Sequence, residues 1–304
     1  YDIKTMLLRL FRSSTSSTFL NNQYQYNQLN NKIRQMTSFR EVVNVLNEIT
    51  PLELAGSWDN VGVLIEPSTA STLTVNSIFL TNDLTENVLD EAIESKCSMI
   101  VSYHPPLFSN FKRITQKVTA QRIAVKAIEN RLPIYSPHSA LDAISGGIND
   151  WTAAALIKLI ETWSVFNGVK YSSKEIGAGR LLNYGAQGVD IQDVIKCVKQ
   201  LFGLQYVRLG RPQNGVDRPI KTIAMCAGSG ASVILNTPAD LYLTGELSHH
   251  EILEACAKGN YVIVCDHSNT ERGYLAVYKK LIQSRLANVQ VIISSRDADP
   301  LVIV

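Results

Sequence analysis

The chain is short of the features that would place it outside the cell, in a membrane or on nucleic acid. It has five cysteines, an odd number, and none of them forms a C-x-x-C pair. That removes zinc-finger and disulfide-scaffold readings. Cys97, Cys226 and Cys265 lie in or beside apolar, strand-like runs, the setting of reduced, buried thiols in an intracellular protein. The formal charge is only +2, too small for nucleic acid or a membrane surface to be the main partner. No apolar stretch reaches the roughly 18 residues of a membrane span. A G-x-S-x-G nucleophile elbow is missing, which disfavours a Ser-His-Asp hydrolase. The glycine-rich turn Ala227-Gly-Ser-Gly-Ala-Ser232 is neither a Walker A sequence nor a full G-x-G-x-x-G.

What is present is enough for a sizeable core. The chain is 33.7 kDa with 45% hydrophobic residues, which suits one or two globular domains. Residues 1–35 stand apart, rich in Ser, Asn and Gln, with Asp2 as their one acid. From Met6 onward they have the Arg/Ser-rich, acid-poor character of a mitochondrial transit peptide. An unstructured leader, or a translation start at Met36, explains them equally well, and location stays open between cytoplasm and mitochondrion. On either reading they lie outside the core.

Folded structure is expected from Ser38, where Ser-Phe-Arg-Glu has capping-box spacing. Strands are predicted at 76–81, 98–103 and 132–136, alternating with helices at 86–95 and 117–130. This is the pattern of βαβ units in a mostly parallel sheet. Residues 221–293 repeat it, with strands at 221–226, 240–243, 261–265 and 289–293 and helices at 229–235, 248–258 and 270–286. The domain reading is therefore a first α/β lobe over 38–150 and a second over 220–304. Between them, 151–219 is taken as a connecting segment: a helix over 151–163, a Gly-rich loop over 167–187 and a helix over 190–202.

Three of the five histidines fall at predicted strand ends: His104, His138 and His267. Ligands in open α/β sheets bind beyond the carboxyl ends of strands. Two of the three have a carboxylate four residues on, Asp142 and Glu271. Imidazole nitrogen and carboxylate oxygen are the donors that Zn, Fe and Mn take. Each residue also has a structural explanation. Glu271 completes a capping-box spacing with Ser268, and Asp142 precedes a Gly-Gly turn, where Asp is common. Tyr103 beside His104 is a poor ligand, because a phenol keeps its proton at neutral pH. Glu246, with His249 and His250, sits at a neighbouring strand-to-helix turn, either supporting a metal ligand from behind or solvated. Gly228, Ser229 and Gly230 could hold a phosphate on backbone N–H groups, or be a tight connection.

Taken in order, several motifs resemble the Ngg1-interacting-factor-three-like proteins, also called GTP cyclohydrolase 1 type 2 homologues. They are Ser57-Trp-Asp-Asn-Val-Gly62, Ser102-Tyr-His-Pro-Pro-Leu-Phe108, Ser136-Pro-His-Ser-Ala-Leu-Asp142, Cys226-Ala-Gly-Ser-Gly230, Leu243-Thr-Gly-Glu246 and Asp266-His-Ser-Asn-Thr-Glu-Arg-Gly273. The resemblance implies two intertwined α/β lobes, mostly parallel or mixed in their sheets, with a metal centre in the cleft between them. It implies His104, Asp142, His267 and Glu271 as ligands of one or two divalent ions of the Zn, Fe or Mn class. Tyr103, His138 and Glu246 stand behind them. Tyr103 takes the place of the first residue of the family's His-His pair, which puts the second ion in doubt. The resemblance further implies a homo-oligomer, dimer or hexamer. For activity it implies either metal-dependent attack on a nucleotide or related small molecule, as in opening the guanine imidazole ring of GTP with release of formate, or a protein partner in transcription. Some relatives carry an inserted domain between the halves, for which 167–187 is too short.

Overall fold

A computed structural model describes residues 37–156, 162–171, 174–215 and 217–304; of 162–171 and 174–176 only the backbone is described. The expected leader, 1–35, lies outside these residues. Chain order is α1 (Phe39–Ile49), β1 (Gly62–Ile65), β2 (Ser77–Thr81), α2 (Glu86–Glu94), β3 (Met99–Ser102), α3 (Thr119–Glu129), β4 (Ile134–Ser136), α4 (His138–Ala143) and α5 (Ile148–Leu156). There follow β5 (Thr162–Tyr171), β6 (Lys174–Asn183), α6 (Ile191–Phe202), β7 (Arg208–Gly210), β8 (Thr222–Ser229), α7 (Ala231–Ile234) and β9 (Leu241–Glu246). The chain closes with α8 (His249–Ala257), β10 (Tyr261–Val264), α9 (Leu275–Arg285) and β11 (Gln290–Ile293).

Two mixed sheets result, in strand order β1-β4-β3-β2-β11 and β5-β6-β8-β9-β10-β7. Within the first, β4, β3, β2 and β11 run parallel. Within the second, β8, β9 and β10 do. The inner strands are apolar on both faces because both faces are covered. Along β2, Ile78 and Leu80 enter one core cluster and Phe79 the other. Along β8, Ile223 and Met225 face one cluster while Ala224 and Cys226 face another. The lobes are intertwined. β11 leaves the second lobe to pair with β2, and Tyr274, Leu275 and Tyr278 complete the core that β2 and β3 begin.

Local signals account for several boundaries. Ser38 and Glu41 form the capping box, and Phe39, Val42 and Leu46 bury one face of α1. Gly203 ends α6 in the left-handed region, at φ 67°. The connecting segment is the main correction. Residues expected as the end of a helix and a Gly-rich loop form β5 and β6, a long antiparallel pair that edges the second sheet. Glycines lower strand propensity, but those here are paired between β5 and β6, Gly168 with Gly177 and Phe166 with Gly179, and β6 goes on to pair with β8. The helix expected from Thr270 is also late. Residues 268–274 form two 3₁₀ turns, with Gly273 pressed so close to the Trp151 ring that a Cβ would sit 2.6 Å from it.

Candidate metal centre

The carboxyl ends of the two parallel strand sets meet, and three side chains converge there. His104, His267 and Glu271 each offer a donor atom, and the three atoms lie within 4.8 Å of one another. His104 Nε2 is 3.4 Å from Glu271 Oε2, and His267 Nε2 is 3.3 Å from Oε1. Strand register explains the meeting. Thr81 and Ser102 are partners in β2 and β3, and the ladder continues past them, since Tyr103 N–H donates to Thr81 and His104 N–H to Asn82. Asp83 therefore emerges beside His104. In the other sheet Thr244 pairs with both Cys226 and Val264, which draws Gly228 against the turn that carries His267.

Both imidazoles are held from behind. His104 Nδ1 is 2.7 Å from Asp83 Oδ1, and His267 Nδ1 is 2.8 Å from Glu246 Oε1. A carboxylate on Nδ1 holds a proton there, so that in the neutral ring Nε2 is the lone-pair donor, the arrangement of metal-ligating histidines. His138 is set the same way, with Nδ1 2.6 Å from Asp59 Oδ1. Its backbone lies at φ 31° and that of Asp266, beside His267, at φ 65°. Strain of this kind in non-glycine residues persists where surrounding contacts enforce it.

Glu271 is 2% exposed, yet ionised. Burial opposes its charge, but hydrogen bonds from His104 and His267 bring its pKa down to about 2. Burial likewise opposes charge on His104, and hydrogen bonds to Asp83 and Glu271 carry it up to about 10. His267 rises to about 9, first through Glu271. The side chain of Glu271 is spent on the two histidines and on Asn82 Nδ2, 3.2 Å away, rather than on the backbone of Ser268. The helix-capping explanation for Glu271 therefore does not hold.

Two expectations are not met, and the open reading of His249 and His250 is decided. Asp142 lies outside the converging group: its Oδ1 accepts from the Tyr103 hydroxyl at 2.6 Å. Burial pushes its carboxyl up to about 8, and burial also holds the phenol well above its ordinary value. A phenol at 103 is a donor, and its bond takes up one of the lone-pair sites of the Asp142 carboxylate. The phosphate loop fails as well. The N–H groups of Gly228 and Gly230 donate to Thr270 Oγ1 and Thr244 Oγ1, and that of Ala227 to Asn149 Oδ1. α7, which follows Ser229, is only four residues long. The turn serves close approach instead. At Gly228, φ 63°, a Cβ would sit 2.5 Å from Glu271 Oε1 and 2.9 Å from His267 Nε2. His249 and His250, finally, are exposed on the first turn of α8.

Residues not foreseen surround the group. Asp83 and Asp59 orient histidines. Arg272 reaches Asp83 Oδ2 at 3.3 Å and Asp297 Oδ1 at 3.2 Å, tying the segment after β11 across the site. A strand-end acid in Thr81-Asn-Asp-Leu was a visible signal for Asp83. Asp297 gave none, since β11 joins β2 from far along the chain.

The donor set fits a divalent ion. Two oriented Nε2 atoms face one buried carboxylate, and Gly228 leaves room that a side chain would fill. Asn82 Oδ1 beside them is buried and has no hydrogen-bond partner among the described residues.

Residues 37–300 match the family model Duf34/NIF3 (NGG1p interacting factor 3). The chain belongs to that family. A NIF3-like protein 1 from Dictyostelium discoideum is 44% identical, covering 87% of this chain and 97% of the relative. NGG1-interacting factor 3 from Saccharomyces cerevisiae is 36% identical, covering 86% and 96%. The Dictyostelium alignment runs over 344 residues, more than this chain possesses, whereas the yeast alignment runs over 279. The Dictyostelium relative thus carries inserted residues that this chain lacks. Among solved structures, a Bacillus cereus protein related to NIF3 superposes with a TM-score of 0.77 at 19% identity, covering 88% of this chain and 99% of that one, a likeness of fold.

Proposed function

We propose that the chain holds one divalent ion of the Zn, Fe or Mn class through His104 Nε2, His267 Nε2 and Glu271, and that it hydrolyses a nucleotide or related small molecule. The observation carrying this reading is the convergence of two pre-oriented imidazoles on one buried, ionised carboxylate. When bound, such an ion supplies Lewis acidity and activation of water. Asp83 and Glu246 hold the tautomer in which both Nε2 atoms face the site. Beside the group opens a cavity of about 560 Å³, lined by Asp83, Thr85, Arg208, Asp266, Asp299 and Leu301 among others, large enough for a small substrate. The Tyr103–Asp142 pair stands next to it as a neighbouring half-site closed by its own hydrogen bond. The same reading makes the chain a homo-oligomer, dimer or hexamer, in the cytoplasm, or in mitochondria if residues 6–35 direct it there.

The test is turnover. Metal-loaded protein is incubated with a panel of nucleotides that includes GTP, and His267→Ala is run beside it. Hydrolysis by wild type and its loss in the variant are expected; a wholly inert panel contradicts the hydrolase reading. The name of the yeast relative, NGG1-interacting factor 3, favours a second reading, a protein-binding role that keeps the metal group for stability or regulation. That role predicts bound metal without turnover, and partner capture that survives His104→Ala.

A further inference from the structure

On the His138 side of the site two large rings stand in solvent. Trp58 is 66% exposed and Phe108 52%, yet both are positioned. The indole lies folded over Gly56, where a Cβ would come 2.5 Å from its Nε1. The turn bearing it is fastened to α4. Gly56 N–H donates to Ser139 Oγ at 3.0 Å, and Asp59 takes hydrogen bonds from His138 Nδ1 and from the N–H and Oγ of Ser139. Trp58 and Phe108 sit 6.1 Å apart at 59°, and each meets the His138 ring almost edge-on, at 85° and 87°. The result is a cluster of two exposed rings resting on an imidazole, and both rings line a cavity of about 780 Å³ together with Asn60, Leu107 and Phe111.

Holding two rings rigid and wet is unfavourable unless something covers them. Position says what. His138, which both rings meet, is 5.3 Å centroid to centroid from His104, so the ring cluster adjoins the converging donors. We propose that Trp58 and Phe108, with His138 beneath them, are a stacking platform for a planar heteroaromatic ring such as a nucleobase. Offset or edge contact with three rings recognises a π-face without reading its hydrogen-bonding edge. This rests on the hydrolase reading for where the reacting atoms go, but the binding itself does not.

The full-length protein is titrated calorimetrically with adenosine, guanosine and ribose, once chelator-treated and once zinc-loaded. Wild type is expected to bind both nucleosides and not ribose under either condition. Trp58→Ala and Phe108→Ala are each expected to weaken nucleoside binding by about five- to 150-fold, the range for losing one stacked ring. Trp58→Phe keeps most of the affinity. Because both side chains are more than half exposed, unchanged thermal midpoints show that the variants fold. Equal nucleoside affinity in Trp58→Ala, or none in wild type, overturns the platform. So does loss of self-association in Trp58→Ala with nucleoside affinity unmoved, which assigns the patch to an interface between copies. Stacking without turnover of any nucleotide sinks the hydrolase reading and leaves the platform standing. Turnover with KM unchanged in Trp58→Ala does the reverse.

Discussion

The two ends of the histidine row are built from the same chemistry and do different things. At one end His104 and His267 face Glu271, and their second nitrogens are occupied by Asp83 and Glu246. At the other, His138 and Asp142 sit beside a phenol that donates its proton to the carboxylate. Imidazoles and carboxylates are present at both. What differs is what the carboxylate is bonded to: two imidazoles share Glu271 at the first end, whereas a phenol donates to Asp142 at the second. A metal site is thus decided less by residue type than by the hydrogen bonds that neighbours have already made.

Four changes break or sharpen that contrast. Gly228→Ala should have the largest effect although it removes no donor, because the new methyl occupies the space of Glu271 Oε1 and His267 Nε2 at a positive φ. A loss of metal affinity of about 100-fold or more is expected, read by competition with a chromophoric chelator. Glu246→Gln and Asp83→Asn should follow, each weakening metal binding by about 10- to 100-fold, since the histidines lose the carboxylate that fixes their tautomer. Near-wild-type affinity in both would mean that tautomer control is irrelevant here. Tyr103→Phe strips Asp142 of its buried donor and should cost about 1–3 kcal/mol in urea unfolding, with metal content unmoved. A parallel loss of metal would place Tyr103 among the functional donors after all.

Metal binding should also depend on pH, and the sign is fixed. His104 and His267, at about 10 and about 9, carry protons at neutral pH, whereas metal ligation needs both neutral. Metal affinity should therefore rise with pH through neutrality and level off only at about pH 9 to 10, with protons released on loading. Calorimetry in buffers of different ionisation enthalpy measures the release. Pairing with Asp83, Glu246 and Glu271 makes the dependence steeper than free imidazole would give. A flat profile would show that the carboxylates do not hold these protons.

Much of this was legible in the sequence because it was local or periodic. The Ser38–Glu41 box, the buried strands at 77–81 and 99–102, and the histidines at strand ends follow from spacing alone. What escaped depends on partners distant in the chain. Asp83 matters because β2 and β3 end in register. β5 pairs with β6, and β6 with β8, in spite of their glycines, and Asp297 reaches Asn82 and Arg272 only because β11 crosses to the first sheet. Asp142 is a different case: it lies in α4 rather than in a turn, and the hydroxyl of Tyr103 donates to its Oδ1.

Metal content per chain is the direct measurement. Wild type purified without chelator should hold close to one Zn, Fe or Mn ion per chain by elemental analysis. His267→Ala should hold none, and Tyr103→His, which removes the phenol that occupies Asp142, should move towards two. A metal-free wild type, or a His267→Ala variant that retains its ion, would contradict the site described here.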